Sequence, residues 1–193
     1  MEHFYTLQGE GAYAGQAAYF IRLGGCDVGC VWCDVKESWD AAAHPQMSVR
    51  EIVDLAAALP GRIAVITGGE PSMYDLSALT QGLKAAGFRT HIETSASSPL
   101  SGILDWVTLS PKKFKAPLPE NMSWAHELKI VVFNKSDFKW AEQYAALVPA
   151  CCKLYLQAEW DKKEQITPLI LEYIMEHPQW QLSLQTHKYL NIP

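Results

Sequence analysis

The stretch AYFIRLGGCDVGCVWCD, residues 18–34, passes from a β-rich apolar segment through two glycines into a loop that contains three cysteines. Residues 18–25 have the branched and aromatic composition of a buried strand. Cys26, Cys30 and Cys33 follow with the spacing C-x3-C-x2-C. The stretch therefore predicts a strand that carries a set of sulfur ligands in the loop at its carboxyl end.

Strands and helices alternate through the rest of the chain. Further strands are predicted at 62–69, 90–96, 106–112, 126–133, 152–160 and 181–187. Helices are predicted at 48–60, with Ser48 and Glu51 as a capping box, at 75–86, at 136–147 and at 167–176, with Thr167-Pro168 as the first turn. This alternation predicts a single α/β domain over residues 1–193, with a mostly parallel sheet of about seven strands. That sheet would be either an open doubly wound layer or a partial barrel.

The composition is that of a globular protein, since 49% of the 193 residues are hydrophobic and 19% are charged. A net charge of −5 argues against a general nucleic-acid binder, because neutralising phosphates takes clustered lysines and arginines. The longest apolar runs have the length of strands, and the first residues lack the pattern of a signal peptide. We therefore expect no membrane span and a cytoplasmic location.

The three clustered cysteines leave open what they bind. A structural zinc site needs a fourth ligand, and His44, the nearest histidine downstream, has no paired partner. An iron–sulfur cluster held by three thiolates would keep one iron open to a substrate or cofactor, and Trp32 would place an aromatic ring beside the last ligand. The third alternative is that no metal binds. Cys151 and Cys152 stand apart, and we expect them to fill space at the start of a buried strand.

Other unusual groups also follow predicted strands. They are Gly68-Gly69-Glu70-Pro71, Glu93-Thr94-Ser95, Ser110-Pro111-Lys112 and Gln157-Ala158-Glu159. Because the carboxyl ends of parallel strands meet at one edge of a sheet or barrel, these groups should share one site with the cysteines.

The cysteine spacing, the aromatic residue before the last cysteine and the Gly-Gly-Glu-Pro segment one strand later resemble the radical S-adenosylmethionine superfamily. The resemblance implies that Cys26, Cys30 and Cys33 bind a [4Fe–4S] cluster whose fourth iron chelates S-adenosylmethionine. One electron from the cluster would cleave the sulfonium to give a 5′-deoxyadenosyl radical, so that the cofactor carries the difficult chemistry.

Further segments, spread over nearly the whole chain, are similar to the 7-carboxy-7-deazaguanine synthase family. They are TLQGEG (6–11), TGGEPSM (67–73), HIETSA (91–96), LSPK (109–112), ELKIVVFN (127–134), LYLQ (154–157) and LSLQTHKYLNIP (182–193). The family implies a trimmed radical-SAM barrel, usually a homodimer, supplied by an electron donor such as flavodoxin or ferredoxin. Its reaction contracts the ring of 6-carboxy-5,6,7,8-tetrahydropterin to 7-carboxy-7-deazaguanine with loss of ammonia, in queuosine biosynthesis.

The resemblance also implies roles for individual residues. The substrate site would contain Leu7, Gln8, Gly9, Glu10, Arg22, Thr94 and Pro193. The cofactor site would contain Trp32, Gly68, Gly69, Glu70, Ser95, Ala96, Ser110, Pro111, Lys112, Gln157, Ala158, Glu159 and Trp160. Arg22 would form a fork on a carboxylate, and Glu70 would accept a hydrogen bond from the ammonium of the cofactor. Pro193 would reach the active site and offer its carboxylate to the substrate.

Two positions depart from the family pattern. Ala96 stands where the family tends to have glycine, which puts in doubt a close approach of the backbone to the adenosyl group. Val35 follows Asp34 where the family commonly has a threonine or serine that helps to hold Mg²⁺. Because Mg²⁺ requires oxygen ligands, Asp34 is left as the candidate ligand, another cation serves, or the ion is dispensable.

Two rival functions stay open at this point. A glycyl-radical-enzyme activase shares the cysteine spacing but acts on a protein, and the TLQGEG and QTHKY segments disfavour it. A non-catalytic zinc module is the other.

The segment before Leu7 is short, which also predicts a weakly anchored strand there.

Overall fold

A computed structural model describes residues 1–193 and contains one sheet of eight strands in the order β1 to β8. The strands are β1 (Glu2–Leu7), β2 (Ala17–Leu23), β3 (Ile63–Gly68), β4 (Arg89–Thr94), β5 (Trp106–Leu109), β6 (Glu127–Val132), β7 (Lys153–Ala158) and β8 (Trp180–Ser183). β1 and β2 are antiparallel, and all later neighbours are parallel. Because β1 and β8 do not pair, the barrel is unclosed. The predicted partial barrel is confirmed.

The chain also forms five α-helices. They are α1 (Val49–Ala57), α2 (Ser77–Ala85), α3 (Ser136–Ala145), α4 (Lys163–Glu176) and α5 (Thr186–Leu190). The predicted capping box of α1 is present, because the Ser48 hydroxyl accepts from Glu51 N while the Glu51 carboxylate accepts from Ser48 N. None of the helices combines the length and the apolar composition that crossing a membrane demands.

Each strand places alternate side chains on opposite faces of the barrel wall. On β6, Leu128 and Ile130 belong to the hydrophobic core that α3 and α4 cover, whereas Glu127 and Lys129 line the interior. A strand has a side-chain period of two, so a barrel wall presents one face to the helices and the other to its own lumen. The apolar face therefore holds the fold together, and the polar face is free to form a site.

The first strand is better anchored than its sequence predicts. β1 pairs with β2 along its whole length, from Glu2 opposite Arg22 to Leu7 opposite Ala17. The weak anchorage expected for this segment is wrong, because the antiparallel register uses every residue of the strand.

The predicted closing strand at 181–187 is also wrong in its second half. β8 ends at Ser183, whose partner Gln157 lies one residue from the end of β7. The chain then turns into α5, where the backbone N–H and the hydroxyl of Thr186 both donate to Gly9 O, at 2.9 and 2.8 Å. These hydrogen bonds connect the end of the chain to the segment that follows β1.

Two smaller predictions differ from the structure. α4 begins at Lys163 rather than at 167, so Pro168 lies inside the helix. Because proline has no N–H, the carbonyl of Glu164 loses its usual hydrogen-bond donor. Both Pro168 and Glu164 are exposed to water. Cys152 is buried in the core as expected, whereas Cys151 is exposed.

Candidate active site

The carboxyl ends of the parallel strands surround a cavity of about 270 Å³. The three clustered cysteines and Asp34 line it. So do all the residues that the family resemblance assigns to substrate and cofactor, except Ala96 and Pro111. Segments from the whole length of the chain are thus brought to one place, while the ligand that each residue contacts stays a prediction.

The cysteine loop, residues 26–35, begins at the end of β2 and is fixed at its base. Gly25 N donates to Ser38 O at 2.6 Å, and Cys26 N donates to Trp39 O at 3.2 Å. Within the loop, Cys33 N donates to Cys30 O at 3.1 Å, which forms a turn. These are bonds between backbone groups, and the three cysteine side chains, which line the cavity, take no part in them.

The Gly68-Gly69 pair lets the loop after β3 lie directly on the start of the cysteine loop. A Cβ atom on Gly68 would collide with the backbone of Leu23, and one on Gly69 would collide with Gly25 O and Cys26 Cβ. Gly68 also has a φ of 141°, which favours glycine. The close approach that these glycines permit is therefore, first of all, to the protein's own cysteine loop.

The thiols suit an iron–sulfur cluster better than a single ion. No three His, Cys, Asp or Glu side chains are arranged around one ion position, although the three thiols share one cavity. Burial raises the pKa of Cys26 and raises that of Cys30 to about 11. Because thiolates are the ligands, binding of the cluster must release these protons.

Glu70 is buried among hydrogen-bond donors of its own chain. Its carboxylate accepts from Ser72 N at 3.0 Å, from the Thr94 hydroxyl, and from Ser95 N at 2.8 Å. These bonds tie the loop after β3 to the end of β4. The predicted contact of Glu70 with the cofactor ammonium is untested, and the structure gives this residue a positioning role.

Ala96 and Pro111 are displaced from the cavity. Ala96 is fully buried in the hydrophobic core and has a φ of 57°, a left-handed conformation that favours glycine. Its N–H donates to the Thr94 hydroxyl at 2.8 Å, and its carbonyl accepts from Asn121 Nδ2 at 2.9 Å. The structure therefore places Ala96 behind the wall of the site.

A polar network lies deeper in the barrel and consists of Gln8, Glu10, Glu93 and Lys129. Gln8 Nε2 donates to Glu93 Oε1 at 2.8 Å, Gln8 Oε1 accepts from Glu10 N at 3.1 Å, and the Lys129 ammonium pairs with the Glu10 carboxylate. Burial opposes both charges of the ion pair, but their attraction lowers the pKa of Glu10 to about 2 and raises that of Lys129. The Glu10–Lys129 pair therefore keeps both charges at neutral pH.

Backbone groups of Gln8 and Gly9, which follow β1, already have partners within the protein. Gln8 N donates to Gln16 O at 2.8 Å, Gln8 O accepts from Gly15 N at 2.7 Å, and Gly9 O accepts from Thr186. Both backbone groups of Gln8 are thereby occupied, so a ligand that contacts this residue would do so through its side chain. Arg22 Nε lies 2.7 Å from Glu2 Oε1, and the other nitrogens of its guanidinium leave donors for a carboxylate.

Polar groups from β5 and β7 complete the lining. Lys112 Nζ donates to Ser110 O at 2.8 Å, and burial together with the charge of Lys129 lowers the pKa of Lys112 to about 8. Gln157 Oε1 accepts from the Ser183 hydroxyl at 2.7 Å. Both residues are thereby held at the carboxyl ends of their strands.

Sequence reasoning missed several side chains that line the cavity. They are Thr67, Lys129, Gln185, His187 and Lys188. The alternation in ELKIVV was a usable signal, because a lysine between apolar residues of a strand points to a polar lumen. Gln185, His187 and Lys188 gave no such signal, since a strand was expected as far as residue 187 and no helix was expected after it.

Comparisons with known proteins show the family to which the chain belongs. Residues 20–115 match the model of the Radical SAM superfamily. The chain is 56% identical over 193 residues to the 7-carboxy-7-deazaguanine synthase of Flavobacterium psychrophilum, covering 100% of this chain and 91% of the relative. It is 36% identical over 217 residues to that of Escherichia coli, covering 99% and 97%.

A solved structure leads to the same conclusion. The crystal structure of QueE from Escherichia coli superimposes with a TM-score of 0.86 at 33% identity, covering 96% of this chain and 92% of that one. The fold and the site define a radical S-adenosylmethionine enzyme. Within that class, the chain belongs to the 7-carboxy-7-deazaguanine synthase family, and neither the activase nor the zinc module finds support.

Proposed function

We propose that the protein converts 6-carboxy-5,6,7,8-tetrahydropterin into 7-carboxy-7-deazaguanine and ammonia, with a [4Fe–4S] cluster and S-adenosylmethionine as cofactors. The observation that carries the proposal is that the cysteine motif and the polar network line one continuous cavity. Together, 7-carboxy-7-deazaguanine and ammonia contain the same atoms as the substrate, so the conversion needs no net oxidant.

The cysteine side of the cavity would hold the cofactors. Cys26, Cys30 and Cys33 would bind three irons of the cluster. When bound, the cluster and S-adenosylmethionine supply the electron and the radical that begin the reaction. Lys112 keeps its proton below a pH of about 8 and is available to a carboxylate or hydroxyl of the cofactor.

The network side of the cavity would hold the pterin. A pterin ring offers donors and acceptors along its edge, and the interior carries an amide at Gln8, a carboxylate at Glu93 and an ammonium at Lys129. Gln8 is fixed at both ends of its amide, so it would present its remaining donor and lone pair in a set direction. Arg22 and Thr94 would complete the site.

The remaining expectations are part of the same proposal. A reducing compartment keeps the thiols available for a cluster, which supports a cytoplasmic location. One uninterrupted sheet from β1 to β8 supports a single domain. A flavodoxin or ferredoxin as electron donor and a homodimer rest on the family resemblance.

Anaerobic turnover tests the proposal directly. The reconstituted protein is reduced and given S-adenosylmethionine and the carboxytetrahydropterin, and products are measured by mass spectrometry. We expect 7-carboxy-7-deazaguanine, and none from a Cys30→Ala control. Formation of 5′-deoxyadenosine alone would reject the substrate, whereas one zinc per chain and no cluster absorbance would reject the enzyme class.

A further inference from the structure

The resemblance to the family implies Mg²⁺ beside Asp34, but the residues there do not fit that ion. The side chain of Val35 has no oxygen, and its backbone O already accepts from Ser38 N at 3.0 Å and from Ser38 Oγ at 2.6 Å. Mg²⁺ demands near-octahedral coordination by oxygen. The Asp34 carboxylate is therefore the only side-chain oxygen that these two residues offer to the ion.

That single carboxylate is already paired with a cation of the protein. Lys188 Nζ lies 2.7 Å from Asp34 Oδ2, and both side chains line the cavity. A divalent ion would have to displace the ammonium or lie next to it, and two neighbouring cations repel each other.

Contacts on both sides hold the Lys188 ammonium in place. Two residues earlier, Thr186 anchors α5 to Gly9, which follows β1. The ammonium also lies 5.0 Å from the ring centre of Trp160, which packs edge-on against Tyr189. The Lys188 side chain is 20% exposed and that of Asp34 is 57% exposed, so the ammonium is the inner member of the pair.

We propose that the Lys188 ammonium replaces Mg²⁺ in this protein. It supplies the positive charge beside the cysteine loop and donates to a carboxylate or carbonyl oxygen of the pterin, and no divalent ion binds there. An ammonium carries three donors and acts as a compact charge without coordination geometry. The inference rests on the proposed function, because the pterin is the ligand.

The ion is tested by binding as well as by turnover. Reconstituted holoenzyme is treated with chelator, desalted and titrated with Mn²⁺ as a paramagnetic substitute for Mg²⁺, with S-adenosylmethionine and pterin present. We expect the electron paramagnetic resonance spectrum of free Mn²⁺ only. Turnover with and without Mg²⁺ should differ by less than about twofold in kcat/KM.

The ammonium is tested by substitution. Lys188→Met should raise the KM for the pterin by about ten- to a hundredfold, the value of a charge-assisted hydrogen bond, while cleavage of S-adenosylmethionine continues. Lys163→Met is the matched control, because its ammonium lies 4.3 Å from the ring centre of the same Trp160 but does not line the cavity. The double variant Val35→Thr/Lys188→Met should recover turnover only with Mg²⁺ and should bind Mn²⁺.

Two results would overturn the inference: bound Mn²⁺ in the unmodified protein, or an unchanged KM in Lys188→Met. A variant that loses its cluster is replaced by Lys188→Arg, which keeps the charge and should keep the KM within a few-fold of the unmodified protein. If the unmodified protein forms 5′-deoxyadenosine but no 7-carboxy-7-deazaguanine, the proposed function is wrong, and the Mn²⁺ titration still decides the ion.

Discussion

The cysteine loop and the polar network meet at one cavity, yet they are built in opposite ways. The three thiols come from one short loop, whereas the network joins partners 85 positions apart in Gln8–Glu93 and 119 apart in Glu10–Lys129. The loop can change without altering the barrel, while the network exists only when the strands have paired. We infer that substitutions in the loop affect chemistry, and that substitutions in the network affect stability as well.

Each region contains an ion pair of a lysine with a carboxylate. Asp27 of the cysteine loop pairs with Lys115, which follows β5, and their side chains are 46% and 35% exposed, whereas those of Lys129 and Glu10 are 7% and 13% exposed. This difference in burial makes the two pairs a matched test of the comparison.

The largest effect is expected for Cys30→Ala. Removal of one of three thiolates should abolish the cluster and with it all formation of 5′-deoxyadenosine and of product. The backbone bonds at the base of the loop do not involve this side chain, so circular dichroism should be unchanged. Iron analysis and anaerobic turnover check the prediction, and retained turnover would contradict it.

Glu10→Gln should have the next largest effect, a loss of stability, because it leaves Lys129 charged and buried without a partner. We expect a loss of about 3–5 kcal/mol in the free energy of unfolding near neutral pH, measured in urea. Burial would raise the pKa of Glu10, but Lys129 lowers it from 4.5 to about 2. The contribution is therefore complete above pH 4.5 and is lost as the pH falls toward 2.

The acid dependence is the control for that assignment. Protonated Glu10 in the native protein resembles the glutamine of the variant, so the two proteins should approach equal stability as the pH falls through this range. A difference independent of pH would show that packing rather than the ion pair is responsible.

Gly9→Ala should have an intermediate effect, because it acts where α5 reaches the network. The new Cβ would collide with the ring and the Cβ of His187, so the helix must move. We expect a loss of about 1–3 kcal/mol and a higher KM for the pterin. Unchanged thermal unfolding together with an unchanged KM would contradict the docking of α5 on Gly9.

Asp27→Asn should have the smallest effect. An ion pair with this exposure contributes less than about 1 kcal/mol, since water and salt screen it. The free energies of unfolding of Asp27→Asn and Glu10→Gln, both measured in urea, are to be compared. A loss as large as that of the buried pair would remove the distinction between the two regions.

The sequence by itself determined the features that depend on neighbouring residues. The capping box of α1, the alternation of strands and helices, the cysteine spacing and the glycines after β3 are all local, because hydrogen bonding within a turn and the period of a strand reach only a few positions. They were sufficient for the partial barrel and for the family. They failed at the ends, where β1 is anchored by β2 and where the predicted last strand stops at Ser183 and is followed by α5.

Only the tertiary structure decided which side chains form ion pairs and which line the same cavity. Lys129 could be recognised as a lysine in a strand, but its pairing with Glu10 requires β1 and β6 to belong to one barrel. Lys188 meets Asp34 across 154 positions. Such contacts arise because strand pairing brings together residues that are far apart along the chain. No local pattern specifies which of these distant residues will meet.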